Sequence, residues 1–446
     1  DVTPRTVSPP SWVSSSHQKQ VLMEWEPWFT PHNDVYTIGE AVPLLGWYAS
    51  YPATPGLAPA CKAVIKQHAI WLIEAGVTGI MVDHTNDAWN LANFSDRGQY
   101  AVELMNATTF TLETYAELAA EGLPTPKLVM LLGLDNGASE PMAVLNQEIA
   151  WYTAHYLDNP KYASQLVTKD GSPLLVVFDG GNKHPSSSVG VAAPGWALVW
   201  MASQLQGDPG LAKAGYWSWM DGSLEPVAAA GGNGSQPVAL TVTPAFFAGG
   251  GWLGAPARGR AGGSVWLQEL GFAARVQPEF LVVCQWNEFN GQPNKPGGSY
   301  ADSYNASLSN DMEPTSLTEA GYGRVDDRYP RGWGFYYLNA LRATLDLMTR
   351  PTAFTLLAVA SPAVNGTLSG AATVSWVSIG APATTFAVAI DGAVVATVAN
   401  ASSTSVDLST VEPGVHTISV TAVDATTPYS LSAAHWDAEA PGQRPQ

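Results

Sequence analysis

The stretch Leu281–Asn294 reads Leu-Val-Val-Cys-Gln-Trp-Asn-Glu-Phe-Asn-Gly-Gln-Pro-Asn. Its first four residues are apolar, which is typical of a strand buried on both faces, as in parallel sheets. We predict this strand over Phe280–Trp286. Gly291 and Pro293 then indicate a loop. Polar and aromatic residues therefore follow directly at the carboxyl end of a buried strand, where α/β barrels carry their active sites.

Three side chains at this strand end suit a site for sugars. The Glu288 carboxyl can transfer protons, the Asn287 amide can bind hydroxyl groups, and the Trp286 indole can stack on a sugar ring. The alternative is that Trp286 belongs to the core and Glu288 is a solvated loop residue. We take Glu288 as a catalytic candidate, and Trp286 and Asn287 as substrate-binding candidates.

The chain up to residue 350 repeats the order of buried strand, polar loop and helix. About eight such repeats predict an α/β fold, a (β/α)8 TIM-like barrel, which is irregular because the later helices are short or missing from the pattern. The predicted strands are Gln20–Trp25, Gly79–Asp83, Lys127–Leu134, Pro173–Phe178, Trp196–Met201, Gly215–Trp219, Val238–Thr243 and Phe280–Trp286. The predicted helices are Pro59–Ala75, Tyr100–Glu121, Ala143–Leu157, Val265–Val276 and Trp333–Met348.

The composition changes after Arg350-Pro351. Short alternating apolar runs predict strands, and Asp391-Gly392 predicts a hairpin turn. We therefore predict a catalytic barrel over residues 1–350 and an immunoglobulin- or fibronectin-like β-sandwich, an accessory domain, over residues 351–446. The clearest predicted strands of the sandwich are Val374–Val377, Phe386–Ile390, Val394–Val398 and Val415–Val423.

Three short motifs carry a resemblance to a known family. Trp286-Asn287-Glu288-Phe289 resembles the Trp-Asn-Glu-Trp signature of glycoside hydrolase family 99, which related barrels share and family 71 α-1,3-glucanases share loosely. Pro27-Trp28-Phe29 and Gly76–Asp83 are similar to a Pro-Trp-Tyr motif and to the second strand of those proteins. The resemblance implies a (β/α)8 barrel that hydrolyses α-linked sugars.

The chain departs from the family at one important position. In family 99 a second glutamate follows three residues after the signature glutamate, and the two act as a pair. The first assists the sugar 2-hydroxyl, and the second is the general acid. Here the first corresponds to Glu288, but Gly291 stands at the second position. The family's mechanism therefore does not transfer as a whole, and a second acid must come from another strand.

Acidic residues at other predicted strand ends are candidates for that second acid. Glycoside hydrolysis uses two carboxyl groups. The first strand of a closed barrel lies beside the eighth, and the second strand follows, so we predict Glu26 and Asp83 as partners of Glu288. Asp221 would lie across the barrel mouth. Glu24 and Glu26 have the same parity, so they point to one side if the first strand continues.

Other residues near the strand ends are predicted to bind substrate. For the tryptophans the alternative is core packing, and for the aspartates it is capping of a turn or helix. The candidates are Trp28, Asn86, Asp135, Asp179, Trp217 and Trp219.

The composition excludes several functional classes. The formal net charge of −18 argues against nucleic acid and anionic membranes as partners. There is no Cys/His cluster or His-Glu-x-x-His motif, no glycine-rich phosphate loop and no Gly-x-Ser-x-Gly elbow. We therefore expect no metal, no cofactor and no serine-hydrolase chemistry. No apolar run is long enough to span a membrane.

Few lysines and an excess of Asn-x-Ser/Thr sequons favour a secreted, extracellular glycoprotein, processed ahead of Asp1. The sequence leaves open whether Cys61 and Cys284 form a disulfide. The possible sites for N-linked glycans are Asn93, Asn106, Asn233, Asn305, Asn365 and Asn400.

Together, these features predict a secreted glycoside hydrolase that degrades a polysaccharide or glycan with paired carboxylates. The alternatives are a non-catalytic carbohydrate-binding protein on a glycosidase-like barrel, and a glycosyltransfer enzyme.

Overall fold

We analysed a computed structural model of the chain. It describes residues 19–30, 41–46, 48–88, 91–134, 142–179, 190–231, 237–246, 259–289, 309–320, 332–349, 355–361, 370–380, 382–412, 414 and 416–424.

Eight parallel strands form one sheet that curves into a barrel, which confirms the predicted (β/α)8 fold class. Their spatial order is β6-β5-β4-β3-β2-β1-β8-β7, so β1 lies between β2 and β8 as predicted. The strands are β1 (Gln20–Trp25), β2 (Gly79–His84), β3 (Lys127–Gly133), β4 (Ser172–Phe178), β5 (Ala197–Ala202), β6 (Trp217–Ser218), β7 (Pro237–Val242) and β8 (Phe280–Val283).

Helices follow most of these strands. Gly76, with φ of 89°, ends the first helix in a left-handed conformation that glycine adopts without steric cost. The helices are α1 (Ala58–Ala75), α2 (Gln99–Ala120), α3 (Met142–Tyr152, extended by one π turn over Thr153–Leu157), α4 (Pro209–Lys213), α5 (Ser264–Val276) and α6 (Tyr336–Thr349). None of the helices in the described ranges is long and apolar enough to cross a membrane.

Alternate residues of each strand face two different cores. Leu22, Met81 and Val129 pack inside the barrel, whereas their neighbours Met23 and Val82 pack against the helices. Strands that are buried on both faces need apolar residues at nearly every position, which is why they are visible in the sequence as unbroken apolar runs.

Two glycines allow close contacts around strand β2. A Cβ on Gly133 would lie 2.3 Å from the backbone oxygen of Thr85, so only glycine lets the loop after β2 approach β3. A Cβ on Gly79 would lie 2.8 Å from the Leu22 side chain. Both contacts fix β2, which carries Asp83.

The ring closes differently between β6 and β7. No backbone ladder joins these two strands among the residues described, and the hydroxyl of Thr241 donates to the backbone oxygen of Ser218 instead. The short strand Ala229–Ala230 pairs antiparallel with β7 at this side of the barrel.

Two three-stranded antiparallel sheets follow in the C-terminal part of the chain and enclose an apolar core, as a β-sandwich does. Trp376 and Phe386 face each other across it at a centroid distance of 5.2 Å. Asp391 and Gly392 have φ of 50° and 82°, which confirms the predicted hairpin turn. The strands are Thr355–Ser361, Ala371–Gly380 and Ser403–Asp407 in one sheet, and Thr385–Ile390, Ala393–Ala399 and Ile418–Ala422 in the other.

Some elements differ from the predictions. β6 is only two residues long, and β8 ends at Val283, three residues before the predicted end, because Gln285 and Trp286 bond to Asn310 and Glu24 outside the ladder. The sequence reading omitted the antiparallel pair Ala41–Pro43 with Thr315–Ala320 and two sandwich strands, Thr355–Ser361 and Ser403–Asp407. Cys61 and Cys284 are both buried free thiols, so they form no disulfide here.

Candidate functional site

Three acidic side chains meet inside the carboxyl end of the barrel. Glu24 lies in β1, Glu26 follows it on the same side, and Asp83 lies in the neighbouring strand β2. One carboxylate oxygen from each residue lies within 4.8 Å of the other two. The three residues are only 1%, 1% and 7% exposed. We call Glu24, Glu26 and Asp83 the acidic triad.

The triad cannot be fully ionised at neutral pH. Burial, followed by the charge of Asp83, raises the pKa of Glu24 to about 8. Burial, followed by the charges of Asp83 and Glu288, raises the pKa of Glu26 well above its usual range. Burial also raises the pKa of Asp83, although hydrogen bonds from Thr85 oppose this. Burial and neighbouring negative charges both disfavour the ionised form of a carboxyl, so the triad retains protons at pH 7.

The same triad is the candidate site for a metal ion within the described residues. Three carboxylate oxygens are the donors that hard cations such as Ca²⁺ and Mg²⁺ prefer. Glu24 Oε2 and Glu26 Oε2 are buried and have no hydrogen-bond partner in the part of the chain that the structure describes. A shared proton or a bound cation would satisfy these oxygens. The expectation that the protein binds no metal therefore stays a prediction.

Asn287 holds the main chain of Glu26. Its Oδ1 accepts a hydrogen bond from the Glu26 N–H at 2.8 Å, and its Nδ2 donates to the Glu26 carbonyl oxygen at 3.2 Å. Asn287 is fully buried. These contacts position an acid of the triad, a role different from the predicted contact with substrate hydroxyls.

Glu288 lies beside the triad and is partly exposed. Its N–H donates to the Asp311 carboxylate, and its own carboxylate accepts from the side-chain amide of Gln285. The charge of Glu288 contributes to the raised pKa of Glu26, which places the two carboxyls near each other. The structure thus brings together three of the four predicted catalytic residues, Glu26, Asp83 and Glu288.

Asp221, the fourth, holds its own loop. Its carboxylate accepts hydrogen bonds from the backbone N–H of Ser223 at 3.0 Å and of Val227 at 3.1 Å. Burial raises its pKa to about 6, although these backbone bonds lower it in part. A carboxylate bound in this way stabilises a turn, and it is absent from the acidic triad.

The two tryptophans of β6 and its end both face the barrel interior. Trp217 is 1% exposed and packs on Phe280 at a centroid distance of 5.1 Å, so it is a core residue. Trp219 is half-buried, and its indole N–H donates to the Glu24 carboxylate. Of the two, Trp219 is the one positioned to contact a ligand at the triad.

The other residues predicted to bind substrate lie in the core, in loops or outside the described residues. Trp286 is fully buried and packs edge-on against His68, at a centroid distance of 5.4 Å, which is the core alternative. Asp179 is also fully buried, directly after β4. Trp28 and Asn86 are half-buried in the loops after β1 and β2. Asp135 lies outside the described residues, as do Gly291 and Pro293.

Sequence reasoning missed three residues of this site. Glu24 shares the parity of Glu26, and that signal was present but was not used to select it. Tyr100 lies at the start of α2, and burial, followed by the charge of Glu26, raises its pKa, which places its hydroxyl near the triad. Asp311 binds the Glu288 N–H from a loop 23 positions away, and no local pattern indicates this contact.

Neither a protein-family model nor a curated protein matches this chain. Several solved structures are similar to it. Two structures of the family 99 endo-α-mannosidase from Bacteroides thetaiotaomicron have TM-scores of 0.47 and 0.46, with 14% and 13% identity. They cover 74% of this chain, and the matches span 97% and 98% of theirs. The family is the one that the Trp286–Phe289 motif resembles.

An endo-β-1,4-mannanase from Thermotoga petrophila is also similar, with a TM-score of 0.41 and 9% identity over 97% of this chain and 100% of that chain. At this level of identity and overlap, the proteins are compared by architecture only. The function of this chain is therefore argued from its own side chains.

Proposed function

We propose that this protein is a secreted glycoside hydrolase that cleaves glycosidic bonds of a polysaccharide or glycan by acid/base catalysis with paired carboxylates. The observation that supports it is the group of four acids at one end of the barrel, the buried acidic triad together with the partly exposed Glu288. Their position at the carboxyl end of parallel strands is the usual position of a barrel active site.

The triad and Glu288 divide the two roles that hydrolysis needs. Burial and neighbouring charges raise the pKa values of Glu26 and Asp83, so either one is suited to donate a proton to the leaving glycosidic oxygen as the C–O bond breaks. Glu288 is partly open to solvent and is suited to act on the opposite side, either on the anomeric carbon or on the water that adds to it. The proton that leaves this water returns to a carboxyl of the site.

Trp219 supports a carbohydrate substrate in particular. Its indole is half-buried beside Glu24 and packs edge-on against Phe178 at a centroid distance of 6.4 Å. A tryptophan face next to catalytic carboxylates can stack on a sugar ring. The preference for α-linked sugars comes from the resemblance of the Trp286–Phe289 motif alone.

Secretion is part of this proposal, supported by the sequons. Asn93 and Asn400 are exposed, and Asn106 is half-buried on α2. Asn233, Asn305 and Asn365 lie outside the described residues.

The test is a digestion screen of α- and β-linked polysaccharides and aryl glycosides with the wild-type protein and Glu288→Gln. Hydrolysis by the wild type and its loss in the variant would support the proposal. Binding of a glycan without turnover by the wild type would overturn it in favour of a carbohydrate-binding protein.

A further inference from the structure

A chain of buried hydrogen bonds leads from helix α1 to the main chain of Glu26. His68 Nε2 lies 3.0 Å from Glu313 Oε1, and the Tyr48 hydroxyl lies 2.6 Å from Glu313 Oε2. Asn287 Nδ2 then lies 3.1 Å from the Tyr48 oxygen. All of these residues are buried, with Tyr48 the most exposed at 7%.

The hydrogen bonds of this chain run in one direction, from Asn287 through Tyr48 to Glu313. The Asn287 Oδ1 must accept from the Glu26 N–H, so its Nδ2 is the group that donates to Tyr48 and to the Glu26 carbonyl oxygen. Since the Tyr48 oxygen accepts there, its O–H is left to donate to Glu313. The Glu313 carboxyl therefore orients Tyr48, and Tyr48 orients the Asn287 amide.

The bonds at Glu313 are supported by rigid surroundings. Its backbone N–H donates to the Trp286 oxygen at 2.8 Å, and its backbone oxygen accepts from the Trp333 indole at 3.0 Å. The His68 ring packs edge-on against both Tyr48 and Trp286, at centroid distances of 5.0 and 5.4 Å. Fully satisfied polar networks of this kind hold one geometry, whereas partly broken ones are costly.

We infer that Tyr48 and Glu313 are positioning residues, which fix the Asn287 amide and thereby the placement of the Glu26 carboxyl against Asp83. This inference rests on the proposed function for its kinetic consequences, but not for its structural ones. The side chains of Tyr48, Glu313 and Asn287 need not touch the substrate for this role. A small misplacement of a reacting group costs up to about 100-fold in rate, even when the change is far from the chemistry.

The first test is structural and does not depend on activity. Tyr48→Phe keeps the ring and removes the hydroxyl, so the Asn287 amide loses its orienting partner. We expect hydrogen exchange at the Glu26 amide to speed up by about tenfold or more, while the amides of β3 exchange at the wild-type rate. Tyr51→Phe is the matched control, since Tyr51 lies in the same loop and its ring packs on Phe110.

The second test is kinetic and uses a substrate identified by the digestion screen. Tyr48→Phe and Glu313→Gln should lower kcat by about 10- to 100-fold, with KM within about threefold of the wild type. Both should also displace the pH profile of kcat, which a purely structural role would leave in place. Tyr51→Phe should match the wild type.

The outcomes separate the two proposals. If the Glu26 amide exchanges at the wild-type rate in both Tyr48→Phe and Glu313→Gln, the positioning role is overturned, whatever the activity. Faster exchange at the Glu26 amide in Tyr48→Phe, together with no hydrolysis by the wild-type protein, would keep the positioning role and overturn the glycosidase. If Glu313→Gln fails to fold, Tyr48→Phe alone decides, because it removes one oxygen from a side chain that stays packed.

Discussion

The indole N–H of Trp219 donates a hydrogen bond to the carboxylate of Glu24, from a position 195 residues further along the chain. This bond favours the ionised form of Glu24, whereas burial and the charge of Asp83 favour the protonated form. The balance leaves the pKa of Glu24 at about 8. Trp219 thus contacts the triad directly and also lowers the pKa of Glu24.

Trp219→Phe should move the basic limb of the pH profile. The variant loses the donor that stabilises the carboxylate, so the pKa of Glu24 rises further. A hydrogen bond to a charged group is worth about 1.5–3 kcal/mol, and one pKa unit corresponds to about 1.4 kcal/mol, so a shift of about one unit is expected. The measurement is kcat/KM against pH. Trp151→Phe, at a half-buried tryptophan of α3 that stacks on His155, should leave the basic limb in place.

Glu288→Gln should remove activity and keep the fold. The substitution preserves size and hydrogen bonding but removes the ionisable group, so a residue used in proton transfer or attack loses at least about 100-fold in rate. Thermal melting should change little, because Glu288 is partly exposed. Glu225→Gln, at an exposed acid paired with Arg275, is the control and should retain full turnover. Near-normal turnover in Glu288→Gln would contradict the mechanism.

Stability should fall as the pH rises from about 5 to about 8. The pKa of Glu24 is raised from an ordinary value of 4.5 to about 8, so in this range the unfolded chain releases a proton that the folded protein retains. One such group lowers the free energy of unfolding by about 1.4 kcal/mol per pH unit, with no further loss above pH 8. Urea unfolding across this range measures the slope.

Glu24→Gln should make that pH dependence less steep by removing one titrating group while keeping an acceptor for Trp219. Glu26 and Asp83 also have raised pKa values, so part of the slope should persist. An unchanged slope in Glu24→Gln would mean that Glu24 does not titrate in this range.

Activity should survive removal of metal ions. Acid/base hydrolysis by carboxyls needs no cation, so dialysis against EDTA should leave kcat within about twofold of the untreated protein. Loss of activity that Ca²⁺ or Mg²⁺ restores, with tighter binding of the ion by wild type than by Asp83→Asn, would assign the triad to a cation instead.

The C-terminal sandwich should be dispensable for chemistry. The triad and Glu288 all lie before residue 351. The sandwich touches the barrel where Gly271 of α5 meets Ile379, and a Cβ on Gly271 would lie 2.7 Å from the Ile379 side chain. Gly271→Leu should therefore weaken this contact by about 1–3 kcal/mol without changing kcat, whereas Gly56→Ala, at an open position, should change neither. A folded chain cut near residue 351 that lost all turnover would contradict this.

The barrel could be predicted from the sequence because its strands are buried on both faces. Strands β3 and β2 contain apolar runs that end at Gly133 and at Asp83, and Gly76 stops α1. β6 was harder to delimit because only two of its residues pair. In a closed barrel, β1 lies beside both β2 and β8. This order is why Glu26 and Asp83 were predicted to lie near each other and near Glu288.

The inner contacts of the site could not be predicted in this way. Tyr48 and Glu313 are 265 positions apart, and Asn287 and Glu26 are 261 apart, so no local spacing links them. Trp286 and Asn287 follow a strand that ends early, and the backbone then bonds to Glu24 and Asn310 instead of to the ladder. That turn directs Trp286 into the core, where its exposure is 0%.

The joint between β6 and β7 has a mechanical consequence. At the joint of β1 and β8, four registered residue pairs share the load of any force that separates the strands. At β6 and β7, the described contact is the single bond from the Thr241 hydroxyl to Ser218. A barrel pulled through handles placed on either side of this joint should therefore rupture at a lower force than one pulled across β1 and β8, which optical tweezers can measure. Under tension the barrel should open between β6 and β7, whereas Glu24 and Asp83 lie on β1 and β2, which are interior strands of the opened sheet.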